Sequence, residues 1–248
     1  MTGDPGLFQA EEFGVPGQTS ATIFFICPYG TPIRKVRFAI RRLQRAGYHL
    51  VAYQTTAAVF TAADPAILPD LIAGVRADIR ARMTSLAAAG VTEFGFFGSS
   101  LGSFILYNCI GPEFPEFRWG VFNTGGNIAR GLWEMAELRE AHIARGWSLA
   151  RLEQAWAGLQ WPDFGRLDGC RYVFASSRRD TVAPLQNISA YLGPMFQAGA
   201  QVSVCAVPAI SHRTTVIAGL WKGPKLVRMV RAAQPAPRRV RGSPGRLR

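Results

Sequence analysis

Long apolar runs are missing from this sequence of 248 residues, and their absence excludes a class of protein. No apolar run approaches the roughly 18 residues that a membrane-spanning helix needs. Residues 1–17 contain acids and lack the apolar stretch of a signal peptide. We therefore expect a cytoplasmic protein with no transmembrane segment.

Histidine and cysteine are also few, which argues against a metal centre. The sequence has three histidines and four cysteines, and no two cysteines form a C-x-x-C pair. Scattered residues of these types do not provide the clustered ligands of a metal site, so we expect no metal and no cofactor. The cysteines lie in or beside apolar segments, where we expect small buried thiols rather than disulfides: Cys27, Cys109, Cys170 and Cys205.

Positive charge is abundant, with 28 lysines and arginines against 16 acids and a net charge of +12. Residues 228–248 hold seven arginines and no acid. From Gln234 onward proline and glycine are frequent, so we predict a disordered basic tail over 234–248. A second basic run, Arg34 to Arg45, is predicted to form the solvated face of a helix. Because no nucleic-acid-binding motif accompanies the charge, we expect no nucleic acid as the main partner and at most a weak contact of the tail with an anionic surface.

Strand and helix patterns alternate along most of the chain, which is typical of a mostly parallel sheet with helices on both faces. Continuous apolar runs such as 22–27 indicate buried strands. Between residues 127 and 168 only helical patterns occur. The sequence therefore predicts one α/β domain in two parts, 22–126 and 169–233, with a helical insertion at 127–168 and an N-terminal extension at 1–21.

A G-x-S-x-G motif over residues 98–102 joins one predicted strand to the helix that follows. Such a turn exposes the hydroxyl of its central serine at the helix N-terminus, where free N–H groups favour negative charge. Ser100 is therefore a candidate nucleophile. The alternative is a plain strand-to-helix connection in which a serine caps the helix. A cap at Ser99 or Ser103 would not exclude Ser100 as the nucleophile.

A serine nucleophile needs a base, and two histidines follow Ser100. His212 comes after the last predicted strand, where the carboxyl ends of parallel strands meet. His142 falls in the helical insertion among charged residues, which indicates a solvated helix face. We therefore choose His212 as the base; an ordinary loop histidine is its alternative.

The base needs an acid that orients it. Asp180 follows the predicted strand that begins at Tyr172, again at a strand's carboxyl end. Asp163 and Asp168 precede that strand and would lie on its other side. We therefore choose Asp180, for which a turn residue or a salt-bridge partner of a neighbouring arginine is the alternative.

In their order along the chain, these three elements resemble the catalytic elements of the α/β-hydrolase superfamily, over residues from about Thr22 to Arg231. The resemblance implies Ser100 as the nucleophile, His212 as the base and then the acid, and Asp180 as the orienting carboxylate. Because little sequence precedes Thr22, we expect the first strands of the family to be shortened or missing.

The resemblance also implies an oxyanion hole. One donor is the N–H after the nucleophile, that of Leu101. The other comes from the loop 28–32, where many esterases and lipases carry His-Gly and this chain does not. Pro28 has no N–H, so we prefer Tyr29 and keep Gly30 as the alternative.

The helical insertion at 127–168 resembles the lid of the same superfamily. Two interpretations of its aromatic content stay open, an apolar pocket over Ser100 or packing within the lid itself. Five of the six tryptophans lie in or just before the insertion: Trp119, Trp133, Trp147, Trp156 and Trp161.

The function expected from these residues is hydrolysis of a carboxylic ester or thioester, uncharged or lipophilic, through an acyl-enzyme on Ser100. The same triad also serves C–C bond hydrolases, lactonases, perhydrolases and acyltransferases. Two further hypotheses are a catalytically silent binding or scaffold protein with this fold, and a membrane-surface or polyanion-associated protein that works through its arginine-rich tail. The sequence leaves a homo-oligomer open.

Overall fold

The computed structural model describes residues 6–16, 19, 21–61, 64–160 and 162–231. Within these ranges strands and helices alternate from β2 to β5 and again from β6 to α10. The elements in chain order are β1 Phe8–Phe13, β2 Ala21–Ile26, α1 Ile33–Arg45, β3 His49–Thr55, α2 Ala58–Thr61, α3 Ile67–Ala88, β4 Glu93–Ser99, α4 Leu101–Tyr107, β5 Phe117–Asn123, α5 Ile128–Glu134, α6 Ala136–Ile143, α7 Leu149–Ala155, α8 Ala157–Gln160, β6 Arg171–Ser176, α9 Leu185–Gln197, β7 Gln201–Ala206 and α10 His212–Arg231.

The described strands form one seven-stranded sheet in the order β1-β3-β2-β4-β5-β6-β7. Strands β2 to β7 run parallel to their neighbours, and only β1 is antiparallel. All six residues of β2 are buried, because helices cover both faces of the sheet. This confirms the predicted mostly parallel sheet with helices on both faces.

The N-terminal segment contributes to the sheet. The sequence predicts only an extension before Thr22, whereas in the structure Phe8–Phe13 form β1, which pairs with β3 from Phe8 opposite Thr55 to Phe13 opposite Leu50. The strand is half-exposed and carries two glutamates, so it lacks the continuous apolar run that reveals the central strands. An exposed edge strand needs no such run, which explains why the sequence pattern missed it.

Two hydrophobic cores lie on the two faces of the sheet. In β2 the side chains alternate between them: Phe24 and Ile26 belong to one core, Ile23 and Phe25 to the other. Helices α3, α4 and α9 pack over the first core, and α1 and α10 over the second. The candidate site lies where this layered arrangement ends, at the carboxyl edge of the parallel strands.

The chain between β5 and β6 forms four short helices, α5 to α8, over the residues described there. This matches the helical patterns of the sequence in the segment 127–168. Trp156 is buried, and its Nε1–H donates to the carbonyl of Pro65 at 2.9 Å. Trp161 and the predicted basic tail at 234–248 lie outside the described residues.

The described helices include none that is both long and apolar enough to cross a membrane. Within the same ranges, no group of three or more histidine, cysteine, aspartate or glutamate side chains is arranged to hold a metal ion. The thiols of Cys27, Cys109 and Cys170 are buried, and Cys205 is half-exposed.

Candidate active site

Ser100 occupies the tight turn between β4 and α4. Its backbone has φ of 54° and ψ of −117°, a combination that residues with a side chain rarely adopt. Such a conformation costs about 1–3 kcal/mol and persists only where the surrounding structure enforces it. Here the N–H of Ser100 donates to the carbonyl of Asn123 at 2.9 Å, which ties the turn to the neighbouring strand β5.

The two glycines of the motif let α4 pack directly against the sheet. A Cβ on Gly98 would lie 2.6 Å from the carbonyl oxygen of Gly102. A Cβ on Gly102 would collide with the carbonyl oxygen of Ile26 in β2. Both obstacles are backbone atoms, which cannot move aside as the end of a flexible side chain can, so the turn requires glycine at both positions.

The hydroxyl of Ser100 points to His212 and not to the helix. Ser100 occupies the N-cap position of α4, yet its side chain makes no capping hydrogen bond. Its Oγ lies 2.9 Å from Nε2 of His212. The hydroxyls of Ser99 and Ser103 are instead hydrogen-bonded to Asn123. The side chain of Ser100 is thus available for chemistry and is not used to cap α4.

Asp180 completes a chain of hydrogen bonds that begins at Ser100. Nδ1 of His212 lies 3.0 Å from both carboxylate oxygens of Asp180. A carboxylate can only accept, so Nδ1 carries the hydrogen, and Nε2 is left to accept the hydroxyl hydrogen of Ser100. The side chain of Asp180 is fully buried while that of His212 is 19% exposed. The structure therefore brings together the three residues selected from the sequence.

The surroundings of Asp180 keep its carboxyl ionised. Burial by itself would raise the pKa of this group. The hydrogen bond to His212 and its charge lower that pKa, and so do the N–H groups of Ala183 and Val182, which donate to Oδ1 at 2.8 and 3.0 Å. Together they outweigh burial and hold the pKa below its usual value of 3.8. Asp180 is thereby fixed as the acceptor for His212.

Hydrogen bonds also tie the loop that carries Asp180 to the segment that carries His212. Oγ of Ser177 donates to the carbonyl of Ala209 at 2.9 Å. The N–H of Ser211 donates to Oγ1 of Thr214 at 3.0 Å, which closes the turn before α10. His212 is consequently the first residue of α10, although the sequence placed it in the loop just before the last helix.

Asn123, which the sequence analysis did not select, links the nucleophile turn to the helix of the base. It ends β5 and is fully buried. Its Nδ2 donates to Oγ of Ser99 at 2.8 Å and to the carbonyl of Val216 in α10 at 2.9 Å. Since α10 begins at His212, these bonds set the spacing between the base and the nucleophile.

Helix α10 is shaped to receive this asparagine. A Cβ on Gly219 would collide with Oδ1 of Asn123, so only glycine permits the close approach. The available sequence signal is weak, because it consists of one polar residue at the end of an apolar strand and one glycine almost a hundred residues later. Nothing in the spacing of Asn123 and Gly219 indicates that they touch.

A narrow cleft opens over Ser100, and its walls are apolar. Its lining comes from the loops after β2, β5 and β6 and from α2, α4 and α5. Among the described lining residues there is no aspartate, glutamate, lysine or arginine. The large side chains that line it are Tyr29, Phe60, Phe104, Ile128, Leu132 and Met135.

The two candidate oxyanion donors border this cleft. Leu101 and Tyr29 both line it, whereas Gly30 is not among the lining residues that the structure describes. The hydroxyl of Tyr29 donates to the carbonyl of Ala57 at 2.8 Å, and its ring packs on Phe60 with the ring centroids 4.7 Å apart. These contacts attach the loop after β2 to the segment 57–60 that follows β3.

His142 differs from the prediction of a solvated helix face. It is 4% exposed, and its Nδ1 lies 2.8 Å from the carbonyl of Leu138 one turn earlier in α6. The charged residues around it in sequence point outward while the imidazole points inward. The charges of neighbouring residues therefore do not predict the side on which this histidine lies. It is not among the described residues of the cleft.

The packing of the fold, and not the lining of the cleft, uses Trp119, Trp133, Trp147 and Trp156. No described tryptophan lines it; its aliphatic side chains from the insertion are those of Ile128, Leu132 and Met135. Trp119 is buried in the core under α1 and α10, and Trp133 and Trp147 pack against the opposite core. Of the two interpretations left open by the sequence, the structure favours packing.

No protein-family model and no curated protein sequence matches this chain. Solved structures do. An esterase of Pyrococcus furiosus is 13% identical with a TM-score of 0.58, over 90% of this chain and 84% of the other. A carboxylesterase of Mesorhizobium loti is 15% identical with a TM-score of 0.58, over 87% and 94% of the two chains.

A third similar structure is a propionate-bound esterase of Thermogutta terrifontis, 16% identical with a TM-score of 0.56, over 94% of this chain and 97% of the other. Identities this low establish the fold and nothing finer. With its element order, its parallel sheet and its strand-turn-helix at Ser100, the chain has the α/β-hydrolase fold.

Proposed function

We propose that this protein is a serine hydrolase that cleaves a carboxylic ester or thioester through an acyl-enzyme on Ser100. One observation carries the proposal: Oγ of Ser100, in a strained turn, is hydrogen-bonded to His212, which is hydrogen-bonded in turn to the buried Asp180. A serine hydroxyl is a weak nucleophile unless a base removes its proton, and this chain supplies the base and its orienting acid.

In acylation, Oγ of Ser100 attacks the carbonyl carbon of the substrate as its proton passes to Nε2 of His212. The carbonyl π electrons move onto oxygen and give a tetrahedral oxyanion. Collapse of this intermediate breaks the bond to the leaving group, which takes the proton from His212. The imidazolium that exists between these steps is stabilised by the carboxylate of Asp180.

In deacylation, water takes the place of the leaving group. It gives a proton to Nε2 of His212 as its oxygen attacks the acyl carbon, and collapse of the second intermediate returns that proton to Oγ of Ser100. The products are the free acid and the restored enzyme. No cofactor enters either step.

The backbone N–H groups of Leu101 and Tyr29 are the proposed donors to the oxyanion. Leu101 follows the nucleophile at the start of α4, and Tyr29 lines the cleft from the opposite loop. Loss of one such donor costs about 2.7–4 kcal/mol of transition-state stabilisation. That Gly30 does not line the cleft favours Tyr29 over its alternative.

The apolar cleft supports an uncharged substrate with an apolar acyl or alcohol part. A charged group there would lose its hydration without gaining an ionic partner. Because α5 supplies Ile128 and Leu132 to the wall above Ser100, we propose that the α5–α8 segment acts as a lid. Esterases and carboxylesterases among the similar structures fit the same substrate class.

Turnover of p-nitrophenyl esters of acetate, butyrate and octanoate tests the proposal. We expect the protein to release p-nitrophenol from at least one of these esters and Ser100→Ala to abolish the release. Ser85→Ala, which removes an exposed hydroxyl in α3, is the matched control and should keep full turnover. Equal turnover by Ser100→Ala and the wild type would refute the acyl-enzyme.

A further inference from the structure

The outer surface of α1 and α10 carries positive charge alone. Helix α1 contains no acid and six basic residues, of which all but Arg42 are exposed: Arg34, Lys35, Arg37, Arg41, Arg42 and Arg45. Helix α10 contains no acid and five basic residues: Arg213, Lys222, Lys225, Arg228 and Arg231. The two helices pack against each other on one face of the sheet, so these charges share one surface.

Almost none of this charge is neutralised within the protein. Arg231 pairs with Glu93, and among the described residues no other lysine or arginine of α1 or α10 has a carboxylate within 4.0 Å. On the opposite face, the three arginines of α3 are all paired: Arg76 with Glu113, Arg80 with Glu116, and Arg82 with both Asp78 and Glu12. The arginines of α3 are thus neutralised by ion pairs, whereas almost all the cations of α1 and α10 are not.

Large apolar side chains lie exposed at the centre of the same surface. Trp221 is 57% exposed and Ile217, one turn earlier on α10, is 48% exposed. Phe38 of α1 packs on Trp221 with the ring centroids 5.7 Å apart, and the guanidinium of Arg42 lies 4.6 Å from the centre of the indole ring. Arg213, Ile217, Trp221 and Lys225 follow each other at intervals of four, so they lie along one stripe of α10.

We propose that this α1/α10 surface docks onto an anionic lipid bilayer, with Trp221 and Ile217 in the headgroup layer and the basic residues around them against acidic headgroups. Tryptophan favours the membrane interface because its ring is apolar while its N–H remains solvated. Lysine and arginine attract anionic lipids, and an apolar stripe flanked by cations is the pattern of helices that lie in the interface.

The apolar centre distinguishes a bilayer from nucleic acid as the partner. Both are polyanions that would attract the cations. Against nucleic acid, however, Ile217 would face charged phosphates and gain nothing, whereas in the headgroup layer of a bilayer it would reach the boundary with the acyl chains. Docking does not depend on the hydrolytic function. Because α10 begins at His212, however, a docked protein would hold its cleft close to apolar esters dissolved in the bilayer.

Sedimentation of the full chain with vesicles tests the proposal. We expect binding to vesicles of 70% phosphatidylcholine and 30% phosphatidylserine, no binding to pure phosphatidylcholine, and a steep loss of binding as salt rises. Each basic residue near the surface contributes about fivefold to the partition coefficient. The double variant Arg41→Gln/Arg45→Gln should therefore bind at least tenfold more weakly, and Trp221→Ser severalfold more weakly.

The matched control removes the same charge from the other face. Arg76→Gln/Arg80→Gln lowers the net charge equally and should bind vesicles as the wild type does. Equal loss in both double variants, or in neither, would overturn the proposal, because binding would then depend on overall charge or on the basic residues beyond Arg231. Absence of binding would overturn it too.

Competition separates the two polyanions. The proposal would be overturned, and the surface assigned to nucleic acid, by two results together. Duplex DNA would displace the protein from vesicles, and it would bind the Trp221→Ser variant as tightly as the wild type. Thermal unfolding of every variant checks that the helices are intact; the substituted residues are exposed or half-buried.

Discussion

The carboxyl edge of the sheet and the α1/α10 surface differ in how many of their polar side chains have partners within the protein. At the edge, Ser100, His212, Asp180 and Asn123 are hydrogen-bonded to one another or to a shared neighbour, at 2.8–3.0 Å. On the α1/α10 surface, most of the basic side chains are exposed, and among the described residues there only Arg231 has a carboxylate partner. The polar groups of the first region are bonded within the protein, whereas most of those of the second region are free to interact with solvent or a partner.

This difference predicts two kinds of response to mutation. Groups that act as one unit lose their function together, so their mutational effects are large and do not add. Exposed charges act independently through solvent, so their effects are small and add.

Removal of the nucleophile or the base should have the largest effect. We expect Ser100→Ala and His212→Ala each to lower kcat for an ester by on the order of 10⁶. The double variant should be no slower than either single variant, because each alone already disables the unit. Steady-state kinetics with a p-nitrophenyl ester measures this, and a double variant that multiplies the two losses would show that the residues act separately.

Asn123→Ala should come next. It removes the bonds to Ser99 and to Val216 that space α10 from the nucleophile turn, and a displacement of about 1 Å in such a site costs about 10²-fold in rate. We expect a fall in kcat with little change in KM.

Asn108→Ala is the matched control for that variant. Asn108 is also buried, and its Nδ2 bonds only within α4, to the carbonyl of Phe104 at 3.0 Å. A loss of kcat equal to that of Asn123→Ala would mean that any buried asparagine near α4 matters and that the link to α10 has no special role.

Asp180→Asn should change stability in a pH-dependent way. Because the folded protein holds the pKa of Asp180 below 3.8, the ionised carboxylate stabilises the fold fully at pH above that value. We expect the variant to be less stable by about 1–3 kcal/mol at pH 7, where the buried N–H of His212 loses a charged acceptor.

The stability gap should narrow as pH falls from about 4 through the folded-state pKa of Asp180, since protonation removes the same charge from the wild type. Urea unfolding of both proteins between pH 7 and pH 3 measures the gap. A gap that stays constant or widens toward acid pH would contradict the lowered pKa of Asp180.

Tyr29→Phe should alter catalysis little. The hydroxyl of Tyr29 bonds to the carbonyl of Ala57, and only the backbone N–H is assigned to the oxyanion. We expect kcat within about threefold of the wild type and a stability loss of no more than about 1 kcal/mol. A loss of about a hundredfold or more would show that the hydroxyl itself takes part in the reaction.

Single charge changes on the α1/α10 surface should have the smallest effect on folding. Arg41→Gln should change the free energy of unfolding by less than about 0.5 kcal/mol, since Arg41 has no carboxylate partner among the described residues and has Arg37 and Arg45 one turn away. Arg80→Gln should cost more, up to about 1 kcal/mol, because it breaks a pair with Glu116. Chemical denaturation measures both losses of stability. A larger loss for Arg41→Gln than for Arg80→Gln would contradict the distinction between the two faces.

Strong local patterns in the sequence predict part of the fold and of the candidate site. The apolar run of β2, the glycines around Ser100 and the positions of Asp180 and His212 after strands are all visible within short windows. The patterns fail where signals are mixed. The edge strand β1 contains two adjacent glutamates, and the side chain of His142 points inward although charged residues surround it in the sequence.

The link through Asn123 shows the same limit for the site. Its partners Ser99 and Val216 lie 24 and 93 residues away, and no spacing rule connects them. The side-chain cluster depends on the register of β4 with β5, where Ser99 lies opposite Asn123, and on the close packing that Gly219 permits. Those are tertiary facts that a single sequence does not display.

Labelling with a fluorophosphonate, followed by peptide mapping, shows directly whether Ser100 is the nucleophile. Oγ of Ser100 should displace fluoride at phosphorus and give one phosphonylated serine per chain, and His212→Ala should abolish the label. The same tryptic peptide contains Ser99 and Ser103, so fragmentation must place the adduct on Ser100 alone. Folded wild-type protein that takes up no label, or takes it up at another serine, would contradict the account.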